Sequence, residues 1–489
     1  MKVDRRRFLQ LMMSGAVASS LTGAGYASIL PTLDKQKKYN VLFMAVDDLN
    51  DWVGCLGGHP QARTPNIDRL AKEGVLFEQA YCAAPLCNPS RTAIMTGLYP
   101  STTGIYCNEG WFRDHPKFKD WVTLPQYFRK YGYAAWTGGK IYHQPDGKWS
   151  DPSAWDRPYS KKMGTPPPPP DRRFQHGMSG KFKNDYYNGW LDWAPIDQAD
   201  EETDDWRTAG LAAQLLQKEH DTPFFLACGF FRPHLPWYVP KKYFAMHPLE
   251  RIQLPPHKQN DLDDVPPMGR AMAGEVFGII KKHGQWKHAV RGYLAACSFA
   301  DACVGHVLDA LDASRYRENT IVVLWGDHGY HIGEKGHLSK SALWEETTRT
   351  PLIIHVPGVS RSHGRCEHPV SLVDLYPTLI ELCGLPTRDD LDGRSLAPLV
   401  RNPELEWPYP ALITHSPYWY GANHAIHSQR YHYIRYRDGG EELYDNKVDP
   451  YGWKNLADDP QYAEAKEHLK KWLPKVNAEH FRPGALGNR

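Results

Sequence analysis

The strongest constraint on the fold is a set of short, wholly apolar runs that recur along the chain with helical stretches between them. Asn40-Val41-Leu42-Phe43-Met44-Ala45-Val46 is the first, and Phe224 to Cys228, Thr320 to Trp325 and Leu352 to Val356 follow. A strand with one wet face alternates apolar and polar residues, whereas a strand covered on both faces is apolar throughout. Between the runs, Thr64-Pro65 opens a helix that Gly74 stops, and Thr123 caps one that ends at Gly132. Val75 to Ala80 and Tyr133 to Thr137 read as further strands, and Trp206 to Glu219 as a helix. Apolar residues recur at helical spacing from about Trp286 to Leu311, and Ser371 with Asp374 makes a capping box for a helix that stops at Gly384. Helix and strand alternate, so the economical arrangement is an α/β fold with a mostly parallel sheet flanked by helices.

After about Val400 the texture changes. Ala411 to Thr414, Ala425 to Ser428, Tyr431 to Tyr436 and Glu442 to Asp445 read as short strands without intervening helices, and a polar helix from Gln461 to Trp472 follows. This predicts a small C-terminal antiparallel sheet with one helix, over residues 401–489, beside a large domain over residues 36–400. A hydrophobic content of 41% supplies ample core, and a formal net charge of +2 gives no reason to propose a nucleic-acid partner. Pro166 to Pro170 reads as an extended surface loop. Residues 1–30 read as an address. Arg5-Arg6-Arg7-Phe8-Leu9, a weakly apolar stretch from Leu11 to Leu30 and the small-x-small triplet Gly25-Tyr26-Ala27 resemble a twin-arginine export signal. The stretch is too polar for a membrane span, so the mature protein is expected in the periplasm or outside the cell, with no integral span.

One stretch joins this scaffold to chemistry. Cys87-Asn88-Pro89-Ser90-Arg91 opens a helix that Gly97 ends, which places Cys87 among free backbone N–H groups at the positive end of the helix dipole. In open parallel sheets ligands bind beyond the carboxyl ends of the strands. Those ends deliver Asp47 and Asp48, Lys140 and His143, His234, and Asp327 and His328, with Lys340 shortly after. Each residue alone is an ordinary cap or loop residue; their convergence on one rim is what points to a site. The three aspartates are oxygen ligands suited to a hard divalent cation.

The pentapeptide resembles the signature of type I sulfatases. Gly139-Lys140-x-x-His143, Pro233-His234, Gly326-Asp327-His328-Gly329, Lys340 and the C-terminal Leu443-Tyr444-Asp445 occur in that family's order, and Gly333-Glu334-Lys335-Gly336 is similar to its iduronate-2-sulfatase-type members. The resemblance implies an alkaline-phosphatase-like catalytic domain. It implies that a separate maturation enzyme oxidises Cys87 to formylglycine, whose hydrate attacks the sulfate ester. It implies one Ca²⁺ held by Asp47, Asp48, Asp327 and position 87, with His328 beside it. Arg91, Lys140, His234 and Lys340 would then neutralise the sulfate, His234 or Lys340 would protonate the leaving oxygen, and His143 would take the proton that regenerates the aldehyde. The expected substrate is a sulfated saccharide, with a sulfated uronic acid as one candidate. Asn108, Glu109, Trp111, Arg113 and Trp237 are candidate sugar contacts because they neighbour the motifs. Two other readings stay open at this point: a phosphatase or phosphonate monoester hydrolase on the same scaffold, and a sulfated-glycan binder in which Cys87 is unmodified.

Overall fold

The computed structural model describes residues 38–161, 176–178, 180–416 and 421–481. The export-signal residues and the proline run lie outside the described residues. The described residues form one compact unit.

An eight-stranded sheet organises that unit. Its order is Gly364–Ser371, Val75–Tyr81, Leu352–His355, Thr320–Gly326, Asn40–Val46, Phe224–Phe230, Ala134–Gly139, Arg157–Ser160. The apolar runs lie next to one another because both their faces are covered. In the first strand Leu42, Met44 and Val46 enter one hydrophobic layer, and Val41, Phe43 and Ala45 enter the other. Phe224–Phe230 divides the same way, with Leu226 and Cys228 in the first layer and Phe225 and Ala227 in the second. Helices Pro65–Glu73, Asp204–Leu216 and Trp286–Asp312 belong to the first layer, and Cys87–Thr96, Leu124–Lys130 and Leu375–Leu382 to the second.

Three features go beyond the sequence expectations. Leu352–His355 runs antiparallel to both of its neighbours, so the sheet is mixed, though mostly parallel. An apolar run reports burial on two faces but not strand direction. Gly364–Ser371 is a further strand, parallel to Val75–Tyr81; at the sheet edge it exposes Arg365 and Glu367, which hides it from an apolar scan. Thr64 precedes helix Pro65–Glu73 but does not cap it with its side chain. The buried carboxylate of Asp301, on the long Trp286–Asp312 helix, does so instead. It accepts from Asn66 N at 3.0 Å and from Ile67 N at 2.8 Å. Asp301→Ala is therefore expected to destabilise the protein by about 1–2 kcal/mol, the range for a lost N-cap, as measured by urea denaturation. A change within about 0.3 kcal/mol would refute the cap, since surface substitutions fall in that range.

Among the described residues, Trp286–Asp312 is long and apolar enough to cross a membrane, and it is the central helix of the first layer, largely buried. The small sheet is an antiparallel meander of Ala411–His415, Asn423–His427, Tyr431–Arg435 and Glu441–Asp445, followed by helix Ala463–Lys470. It braces the segment that carries Lys340. Trp344 Nε1 donates to Glu442 Oε2 at 2.9 Å, and Lys335 Nζ reaches Asp261 at 3.3 Å and the Gly452 carbonyl. Lys335, singled out in the motif, is thus a buried tie from this segment to the Asp261 loop and the turn after the small sheet.

Candidate active site

Parallel neighbours share an orientation, so Thr320–Gly326, Asn40–Val46, Phe224–Phe230 and Ala134–Gly139 place their carboxyl ends side by side. Asp327 and His328, Asp47 and Asp48, His234, and Lys140 with His143 all emerge there. Two glycines allow the closest approach. A Cβ on Gly139, at φ +68°, would meet the Gly229 carbonyl oxygen at 1.9 Å, and one on Gly229 would meet the Lys140 carbonyl oxygen at 2.1 Å. The first strand turns sharply at Asp48, whose φ of 59° is uncommon for a residue with a side chain. Asp327 Oδ1 accepts from Asp48 N at 3.1 Å, and Tyr293 OH donates to the Asp48 carbonyl at 2.7 Å, which holds that turn.

Cys87 is the first residue of helix Cys87–Thr96 and is buried at the bottom of a cavity of about 260 Å³. Its Sγ lies 3.0 Å from Lys340 Nζ and 3.3 Å from His328 Nε2. Ser341 N donates to the Pro85 carbonyl at 3.0 Å, which fixes the Lys340 segment against the loop before Cys87. Burial alone would raise the thiol, but Lys140, Lys340 and His328 together hold it well below its ordinary value. Lys340 is held charged well above the usual lysine range: burial opposes the charge, and Asp48 and Cys87 outweigh it.

Lys140 Nζ pairs with Asp47 Oδ2, and Lys340 Nζ pairs with Asp48 Oδ1 at 2.8 Å. Arg91 is fully buried and does not line the cavity. Its Nε donates to Asp327 Oδ2 at 2.8 Å, its NH2 group to Asp47 Oδ1 at 3.1 Å, and its NH1 group to the carbonyls of Lys140 and Ile141. The sequence suggests Arg91 as a sulfate contact; the structure places it behind the carboxylates, as their clamp. The two carboxylates it joins differ. Burial works against ionisation at Asp47, yet Lys140 foremost holds it well below the carboxylate range, whereas burial lifts Asp327 to about 7 against the pull of Arg91. Burial disfavours charge on His328, but Asp327 and Cys87 raise it to about 9.

Asp47, Cys87, Asp327 and His328 each bring one potential ligand atom to within 4.8 Å of the others, and so do Asp47, Asp48, Cys87 and His234. The buried Asp48 Oδ2 has no hydrogen-bond partner. Three carboxylates with one oxygen left unpaired fit a hard, oxygen-seeking divalent cation. His143 and His234 line the cavity above Cys87. His234 Nδ1 faces the Leu235 carbonyl at 2.8 Å, which turns Nε2 toward Asp48 Oδ2 at 3.9 Å and Tyr186 OH at 3.5 Å. Burial lowers the pKa of His143, whose Nδ1 has no partner.

The predicted catalytic and metal-binding residues come together as one cluster, but the predicted sugar contacts do not. Trp111 and Trp237 are core residues, 2% and 0% exposed, and Arg113 is spent on Asp151 at 2.8 Å. Of that group only Asn108 lines the cavity. The wall is built by Asn184, Tyr186, Tyr187 and Trp190, on and beside the short helix Asp185–Trp190. Its signal in the sequence is the aromatic cluster Tyr186-Tyr187-x-x-Trp190, which no motif flags.

Comparison with known proteins agrees with this geometry. The sulfatase family profile matches residues 39–385, and the profile described as N-sulphoglucosamine sulphohydrolase, C-terminal, matches residues 333–479. A sulfatase of Formosa agariphila is 42% identical over 90% of this chain and 87% of its own length. Iduronate 2-sulfatase of Mus musculus is 34% identical over 71% of this chain and 69% of its own. A solved structure of a protein with its substrate D-glucosamine-2-N,6-O-disulfate superposes with a TM-score of 0.70 at 21% identity, over 89% of this chain and 96% of that one. The fold is that of the alkaline-phosphatase-like enzymes.

Proposed function

This chain belongs to the sulfatase family, and on that premise we propose that it is an exported enzyme that removes sulfate from sulfated saccharides, with 2-O-sulfated uronic acids as the preferred class. The observation that carries this reading is the position of Cys87 at the base of a cavity ringed by Lys140, His143, His234 and Lys340 and walled by aromatic side chains. Relatives named for iduronate 2-sulfate and a fold neighbour bound to a sulfated glucosamine support the saccharide class. The twin-arginine pattern at residues 1–30 motivates the export, and the Cys87 motif motivates a maturation enzyme as partner.

Asp47, Asp48, Asp327 and position 87 would hold Ca²⁺, with His328 at its edge; when bound, the ion supplies positive charge for the sulfate oxygens, and formylglycine at position 87 supplies the nucleophilic hydroxyl. The rest falls to the chain's own side chains. Lys140 and Lys340 present fixed charge to an anion seated over Cys87, in a buried site where such charge acts strongly. Arg91 holds Asp47 and Asp327 in register. Lys340 stays charged far above neutral pH, so it stabilises an anion better than it delivers a proton. His234 is then the acid for the leaving oxygen, through Nε2. His143, neutral because burial disfavours its charge, accepts the proton that leaves position 87.

The test compares sulfate release from 2-O-sulfated uronic-acid oligosaccharides, sulfated neutral oligosaccharides and an aryl phosphate. The first set is expected to react fastest. Faster release from the neutral set would remove the uronic-acid reading, and preference for the phosphate would remove the sulfatase reading. Trp190, edge-on to His234 at 6.3 Å between ring centres, is expected to contact the sugar. Trp190→Ala is predicted to raise KM for the saccharide about tenfold, about 1.4 kcal/mol, while kcat on a small aryl sulfate stays unchanged. Equal losses on both substrates would show that Trp190 supports the site and does not read the sugar.

A further inference from the structure

The lysines on the cavity wall are already paired: Lys140 with Asp47 and Lys340 with Asp48, around position 87. A sugar held above them needs other groups to read its oxygens. Asn108, on the same wall, is one whose orientation the structure fixes. We propose that Asn108 is a specificity-determining residue: its Oδ1 caps the helix that carries Cys87, and its Nδ2 donates to an oxygen of the sugar beside the sulfate. The inference rests on the sulfatase reading above and names one substrate contact within it.

The cap fixes the amide. Helix Cys87–Thr96 has no side-chain cap from its own preceding residue, Leu86. Asn88 N is one of the N–H groups that a helix start leaves without an internal partner, and Asn108 Oδ1 accepts from it at 3.0 Å. A backbone N–H only donates, so the amide atom that faces it is the oxygen, and the nitrogen is the other end of the group. Nδ2 has no partner among the described residues and is not a buried atom, so it opens into the cavity that Asn108 lines. An amide NH2 donates and does not accept, which suits a hydroxyl, ring or carboxylate oxygen.

The mounting is rigid. Asn88 is buried, and its Nδ2 donates to the carbonyls of Cys107 at 2.9 Å and Gly110 at 2.6 Å, on either side of Asn108. Its Oδ1 accepts from Thr92 Oγ1 at 3.4 Å, which sets the direction of that amide in turn. Asn88 thus holds the backbone that carries Asn108, and Asn108 holds the backbone N–H of Asn88. A donor fixed in this way loses little side-chain freedom when a substrate arrives. The other carboxamides on the wall differ. Asn184 Oδ1 is likewise committed, to Tyr186 N at 2.9 Å, but that residue is exposed. The Gln144 side chain has no hydrogen bond among the described residues to orient it. Asn108, bonded to the residue next to Cys87, is the fixed donor beside the sulfate seat.

Two substitutions in the full chain separate the cap from the donor. Asn108→Asp keeps an acceptor for Asn88 N, and a carboxylate is favoured at a helix start, so stability to urea is expected to hold. Asn108→Ala removes acceptor and donor together, and stability is expected to fall. The substrates are an aryl sulfate and the sulfated oligosaccharide that the wild type desulfates fastest. In both variants kcat/KM for the oligosaccharide is expected to drop about tenfold more than kcat/KM for the aryl sulfate, the effect of one lost hydrogen bond. The charge that Asp introduces acts on the same sulfate in both substrates and cancels in that ratio. An Asn108→Asp protein with the wild-type ratio would overturn the proposal and leave Asn108 a cap alone. Equal losses on both substrates would overturn it too, because the contact would then be to the sulfate. Should Asn108→Ala not fold, Asn108→Asp by itself decides. A wild type that hydrolyses the aryl sulfate and no saccharide removes the saccharide reading and this contact with it. A saccharide-active wild type with an unchanged ratio in the variants removes the contact alone.

Discussion

Cys87→Ala is expected to lower sulfate release by about 10⁴-fold or more, in the manner of other enzymes that lose their covalent nucleophile. The size of the effect follows from the setting. Lys340 Nζ, His328 Nε2 and the carboxylate cluster all converge on this one atom position. Cys87→Ser is expected to fail nearly as badly. A serine has one hydroxyl, and the reading requires a second to release the sulfate. The companion measurement is the mass of the peptide that spans Cys87 after co-expression with a maturation enzyme, which is expected to carry the aldehyde. A Cys87→Ala protein that keeps a tenth of its activity would end the proposed chemistry. An active wild-type protein with an unmodified thiol would end the formylglycine part of the reading.

Arg91→Ala is expected to cost about 3–5 kcal/mol of stability, the range for removing one partner from a buried ion pair. The guanidinium is fully buried and joins two aspartates and two backbone carbonyls across three segments of the chain. Its removal takes away the one cation that bridges Asp47 and Asp327 and leaves each with only its own neighbour, Lys140 and His328. Arg91→Lys is expected to recover little, because one ammonium cannot span Asp47, Asp327 and the carbonyls with the geometry of a planar fork. Urea denaturation measures both variants. A loss under 1 kcal/mol in Arg91→Ala would show that the carboxylates do not depend on the clamp. Added Ca²⁺ is expected to restore part of the lost stability, since a cation among the carboxylates takes over some of the charge compensation.

Much of the site was legible along the chain. Asp47-Asp48, Lys140, His234 and Asp327-His328 follow apolar runs or a glycine pair, and a parallel sheet brings the ends of such runs to one edge. Their distance from one another in sequence is therefore no obstacle to reading them together. The wall of the cavity was not legible. Tyr186, Tyr187 and Trp190 belong to a six-residue helix in a stretch without periodicity, while Trp111 and Trp237 sit next to motifs and still point into the core. Neighbourhood in sequence says little about which way a side chain points once the backbone turns. Arg91 shows the same limit. Its place one turn from Cys87 was evident, but its bonding depends on two aspartates and two carbonyls that only the folded rim brings within reach.

The sequence by itself determined the layered α/β architecture, the edge at which the polar groups gather and the residue at its centre. Those properties follow from local composition: apolar runs that need cover on both faces, turns after them, and a cysteine at a helix start. The tertiary structure decided the antiparallel Leu352–His355 strand, the Asp301 cap on a distant helix, the clamp role of Arg91 and the Glu345–His427 pair. Each of these is a contact between residues far apart in the chain, settled by which buried polar group finds a partner when the layers close. Buried charges and imidazoles cannot stay unpaired at low cost, so their partners are chosen by packing across the whole fold, and no window of sequence contains both members.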